Sequence, residues 1–126
     1  MAQIVIWGHR TALDARRDGL SDAVHGAVMA ALDYPEEKRF HRFLLLDADD
    51  LVAPRSAEYL VIEIVCFTGR SEHARRALLA ALFEAGRTLG LSPDDLEIVI
   101  LESPPQNWGI RGVAGDQLTL DYVVDV

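Results

Sequence analysis

The chain has a single cysteine, Cys66, and therefore no internal disulfide and no cysteine-built zinc site. Cys66 lies inside an apolar run and reads as a small buried hydrophobe. No apolar stretch approaches membrane-spanning length. The N-terminus lacks a basic region followed by a long apolar segment, so no signal peptide is predicted. A cytoplasmic protein with no membrane partner is the expectation. Gly-rich phosphate loops, nucleophile elbows and Ser/His/Asp groupings are also missing. The histidines are not spaced as metal ligands with a carboxylate, so no metal and no cofactor is expected. Positive charge is scarce: 12 Lys and Arg against 20 Asp and Glu give a net charge of -8. That argues against nucleic acid, whose affinity comes from clustered cations. A small anion stays open, because a pocket's local charge can oppose the global one.

What is present is one pattern written twice, about 60 residues apart. The first copy runs from Ile4-Val5-Ile6-Trp7 through Arg10-Thr11 and a helix to Pro35-Glu36-Glu37, then Phe43-Leu44-Leu45-Leu46. The second runs from Ile64-Val65-Cys66-Phe67 through Arg70-Ser71 and a helix to Pro93-Asp94-Asp95, then Leu96-Glu97-Ile98-Val99-Ile100. In each, an Arg and a hydroxyl residue join strand to helix, and a Pro with two acids precedes the returning strand. A chain of 126 residues is one domain. The predicted fold is α/β (α+β): duplicated βαβ units in a four-stranded core sheet with two helices on one face. Repeat one covers about residues 3–47, a linker loop 48–58, repeat two 59–102, and a C-terminal β tail 103–126.

Residues 3–7 are β-branched and apolar and read as a strand buried on both faces. Thr11 is the predicted N-cap of the first helix, with Asp14 at its positive end. Leu13, Leu20, Val24, Ala27, Val28 and Ala31 form its apolar stripe, and His25 falls on the opposite, solvent face. Tyr34-Pro35 ends it. Ser71 is the predicted cap of the second helix, and Gly90 its left-handed stop. His73 also reads as exposed. His41 sits on a strand, and His9 lies beside the end of the first strand. Leu118 to Val124 reads as a short strand, and so apolar a tail requires something to pack against.

Three segments carry a family likeness: Gly69-Arg70-Ser71, Leu91-Ser92-Pro93-Asp94-Asp95 and Asn107-Trp108-Gly109-Ile110-Arg111-Gly112. With the duplicated βαβ layout, they make the chain resemble the tautomerase superfamily, most closely the branch that includes malonate semialdehyde decarboxylase. The resemblance implies a homotrimer and proton transfer on a small keto or unsaturated carboxylate, by tautomerisation or related decarboxylation or hydration. It implies an N-terminal proline as the catalytic amine, but this chain begins Met1-Ala2-Gln3. Loss of Met1 would leave the primary amine of Ala2 in that place, able to act as a base or to form a Schiff base. The acid expected after the first repeat's proline is Lys38, and the partner position of Arg70 is Thr68.

The candidate site is then the Ala2 amine and Arg70 as catalytic groups, with Lys38, Arg111, Trp108 and Arg10 binding substrate. Arg70 stands where a strand meets a helix N-terminus, a place suited to anions. Arg10 is its repeat mate. Trp108 either lines the pocket or anchors the tail. A different class of function is a non-catalytic trimer that kept the pocket and binds an anionic metabolite or a protein.

Overall fold

A computed structural model describes residues 2–126. Strand β1 (Ala2–His9) leads through a one-turn helix α1 (Arg10–Leu13) into helix α2 (Arg17–Leu32) and strand β2 (His41–Leu46). The second unit repeats the plan with β3 (Leu60–Phe67), α3 (Glu72–Thr88) and β4 (Leu96–Ser103). The sheet order is β2-β1-β3-β4. Within each unit the strands are parallel, as a helical crossover requires. At the centre β1 and β3 run antiparallel, pairing Ala2 with Cys66, Ile4 with Ile64 and Ile6 with Ile62. The two units are thus related by a half-turn, and equivalent residues of the repeats lie at opposite ends of the sheet.

Both long helices pack on one face. Leu20, Val24, Val28 and Leu32 of α2 and Leu78 and Leu82 of α3 close over Ile4, Ile6, Ile62 and Ile64. Ser71 caps α3 as the sequence indicates, its Oγ accepting the Ala74 N–H at 3.0 Å. Gly90 follows with φ +81°.

Four expectations change. The strand over 3–7 is not buried on both faces: burial alternates along β1, because the helices cover one side only. Thr11 does not cap the first helix. It lies inside α1, and residues 14–16 interrupt the helix before Arg17. Residues 118–124 form no strand, having no partner to pair with. The tail's β structure is instead a hairpin of β5 (Gly109–Ile110) and β6 (Val113–Ala114), turning through Arg111 (φ +49°) and Gly112 (φ +88°). His25 is buried, not exposed.

His25 Nε2 donates to the Glu36 carbonyl at 2.7 Å, which satisfies the ring in the core. His41, 5.9 Å away ring to ring, shares a 2.8 Å hydrogen bond with Ser21 Oγ. Its Nε2 is buried without a partner. Burial, then the nearby His25 and Arg39, lower the His41 pKa from 6.5 to about 4. Between those values the unfolded chain takes up a proton that the fold refuses, so stability falls as pH drops from 6.5 towards 4. The expected loss is about 1–2 kcal/mol, discounted for the half-exposed site. Urea midpoints at neutral and mildly acid pH should separate in the wild type and draw closer in His41→Gln. Equal separation in both would remove His41 as the cause.

Candidate functional site

One end of the sheet gathers the chemistry. Ala2 begins β1 there, Phe67 ends β3, and Arg70 precedes α3. Asp33, left-handed at φ 52°, ends α2 and turns Tyr34 inward to the same place. Tyr34 and Ala2 are both buried, and the Ala2 nitrogen donates to Tyr34 Oη at 2.7 Å. Tyr122, from the tail, meets the Tyr34 ring edge to face at 5.1 Å.

Arg70 is only 4% exposed. Its Nη1 donates to the Phe67 carbonyl at 3.0 Å, while Nε and Nη2 are buried without partners. Arg75 fixes the turn from outside, donating to the Arg70 carbonyl at 2.6 Å and to Glu102 at 2.9 Å. Burial pushes the Tyr34 and Tyr122 phenols and the Cys66 thiol up from their ordinary values, and the Arg70 charge opposes that push. All three therefore stay protonated near neutral pH. No anionic side chain forms a salt bridge with Arg70 among the described residues. The result is a buried cation whose Nε and Nη2 have no partner, with the buried and likewise unpartnered Tyr122 hydroxyl close to the guanidinium.

The tail closes over this cluster. Trp108 packs edge-on against Phe67 at 5.3 Å, with its Nε1 buried and unpartnered. Phe67, Thr68, Pro105, Asp116, Leu118 and Val124 line a small cavity between the strand end and the tail. Ser71 Oγ donates to the Val126 carbonyl at 3.0 Å. Gly69, at φ +132°, lets the backbone turn here, and a Cβ on it would stand 2.6 Å from Asp125 and 3.0 Å from Val124.

The sequence-predicted residues divide. Ala2, Arg70 and Trp108 share this end of the sheet. Met1, whose removal would free the Ala2 amine, lies outside the described residues. Lys38 approaches along the segment beside β1, where the Ile4 N–H donates to the Phe40 carbonyl at 3.0 Å. It is half-buried and forms no salt bridge among the described residues. Arg111 is exposed at the β5–β6 hairpin tip. Arg10 is elsewhere: it follows His9 at the far end of β1, roughly 25 Å from Ala2 by strand length. There it pairs with Asp47 at 3.2 Å and donates to the Leu45 carbonyl at 3.3 Å. Two residues of the cluster, Tyr34 and Tyr122, escape a reading of the sequence. The available signal for Tyr34 is a mismatch between the repeats, since its counterpart before the second proline is Ser92.

The duplicated βαβ sheet, with two helices on one face, makes this an α+β protein with a buried, unpaired arginine beside the start of its first strand. Residues 38–111 match the model of the tautomerase enzyme family. A probable tautomerase of Ralstonia nicotianae is 33% identical over 54 residues, covering 42% of this chain and 77% of that protein. The chain belongs to the tautomerase family. Among solved structures, malonate semialdehyde decarboxylase in wild-type, mutant and inactivated forms is 26% identical, with a TM-score of 0.78 over 92% of this chain and 99% of that one. A native fused 4-OT is 25% identical, with a TM-score of 0.82 over 92% and 98% of the two chains. Another fused 4-OT, an asymmetric trimer, is 23% identical with a TM-score of 0.81 over 90% and 96%, and shares the fold.

Proposed function

We propose that this chain transfers a proton on a small keto or unsaturated carboxylate, with the Ala2 amine as the base and Arg70 as the anchor of the carboxylate. The observation that carries the reading is the Arg70 guanidinium, buried with Nε and Nη2 unpaired. A desolvated cation is costly unless an anion joins it, and a carboxylate fits that fork with two parallel hydrogen bonds. With Met1 removed, the Ala2 nitrogen is a primary amine in a buried site beside a cation, and both influences favour its neutral form. In ketonisation of an enol, the amine takes the hydroxyl proton and returns a proton to the adjacent carbon, so no co-reactant is consumed. Lys38 adds positive charge at the pocket rim, and Trp108 excludes water.

The helix-free face of the sheet supports assembly. Leu44, Val99 and Leu101 stand exposed there beside Val5 and Trp7, an apolar surface that a homotrimer would bury. Arg111, at its hairpin tip, and Arg10, at the far end, would then serve pockets across subunit boundaries.

The test is turnover of phenylenolpyruvate by protein whose mass shows Met1 removed, compared with Ala2→Pro and sized by light scattering. Activity in the wild type, equal or greater activity in Ala2→Pro, and a particle of three chains are the expected results. Silence in both forms, with phenylpyruvate failing to bind, would end this reading. Silence with tight binding would instead favour a pocket that holds an anion without reacting.

A further inference from the structure

Lys38 cannot take over the work of an acid beside the amine, yet the Ala2 nitrogen is not left alone. We propose that Tyr34 is the positioning residue for the Ala2 amine, holding it through both halves of the proton-transfer cycle, with Tyr122 packed behind it. The inference rests on the reading above, in that it takes Ala2 as the base.

The geometry is specific. The nitrogen donates to Tyr34 Oη at 2.7 Å inside the core, and the two residues are 2% and 4% exposed. Asp33 in its left-handed turn and the following Pro35 fix the backbone on either side of Tyr34. Tyr122 crosses its ring at 5.1 Å and 71°, which limits how far the phenol can swing.

A phenol is both acceptor and donor. In the structure Oη accepts the Ala2 backbone N–H, an amide while Met1 is attached, and towards an ammonium at the same nitrogen it would accept in the same way. Towards a neutral amine, the same O–H can turn and donate to the nitrogen lone pair. A carboxylate would serve only the first state, and a lysine only the second. Burial keeps the Tyr34 proton in place, so the phenol is available in both states. The titratable and charged groups about this place are Cys66 across the strand pair, Glu102 one strand further, and Arg70 and Tyr122 beside Tyr34. The Arg75–Glu102 pair lies behind Arg70. The Arg70 charge favours the neutral amine, and Tyr34 opposes it, because the hydrogen bond it accepts from the charged ammonium is stronger than the one it gives to the neutral amine.

The test reads the amine directly, apart from turnover. Competitive acetylation across a pH series gives the pKa of the Ala2 amine. Lys38 is the chain's one lysine, so the two amines are resolved by peptide mass. In Tyr34→Phe, which keeps the ring against Tyr122, the amine pKa should fall by about one unit. The acid limb of the kcat profile should move with it, and kcat should drop about tenfold with KM nearly unchanged. Tyr122→Phe keeps the Tyr34 hydroxyl and should move the amine pKa much less. An amine pKa unchanged in Tyr34→Phe overturns the proposal even if the enzyme is active, as does a chain that retains Met1. A shifted amine pKa in a protein that turns over no enol upholds Tyr34 as the positioning group and removes the reaction assigned above.

Discussion

Arg70→Met should make the protein more stable and nearly inactive. The guanidinium is buried and carries two unpaired donors, so the empty fold bears the cost of an uncompensated charge. A methionine of similar volume fills the space without it. The Phe67 carbonyl loses its partner, which costs about 1 kcal/mol. The balance is a gain of about 1–2 kcal/mol, seen as a thermal midpoint several degrees higher. Against this, the carboxylate of a substrate loses its two-pronged anchor. A fall in kcat/KM of about 100- to 1000-fold follows from losing a charge-assisted pair in a dry site. Thermal unfolding and kinetics on one preparation give both numbers. A variant less stable than the wild type would mean that Arg70 holds the fold, and that its free donors are not a site.

Phe67→Ala should be the most destabilising change at this end of the sheet, at about 3–4 kcal/mol. Phe67 ends β3 and is 1% exposed, although its side chain lies on the face that the helices leave uncovered. What covers it is the tail. Trp108 meets its edge at 5.3 Å, and Gly115 comes so close that an added Cβ would be 3.3 Å from the ring and 2.4 Å from the Pro105 carbonyl. Truncation removes the platform on which residues 104–117 rest. Limited proteolysis should then cut within residues 104–126 while the two βαβ units stay protected. A stability loss without new cleavage would show that the tail has another anchor.

The architecture is legible in the sequence because its signals are local. Apolar β-branched runs, the Arg-hydroxyl turns and the Pro-acid turns each act within a few residues, and the capping role of Ser71 needs only the Ala74 N–H. The errors lie where partners come from far along the chain. His25 looks like a polar residue on the outer face of a helix, until the Glu36 carbonyl, 11 positions on, satisfies its ring inside the core. Leu118 to Val124 has strand composition, but its side chains pack singly against Phe67, Gly69 and Tyr34, so no ladder forms. The site divides in the same way. Arg70 is a candidate already from its place at a strand-to-helix turn, which a few neighbouring residues define. Tyr34 and Tyr122 meet only when the end of α2 and the C-terminal tail converge, 88 positions apart by their numbers.

Arg10 shows most clearly what a repeat can and cannot transmit. Copying a segment copies its turns, so the two arginines arise together. A polypeptide nonetheless has one amino terminus, and no copying event can supply a second. With the central strands head to tail, the far end of the sheet carries an arginine turn but no amino terminus of its own chain beside it. Within one chain, Arg10 at that end pairs instead with Asp47.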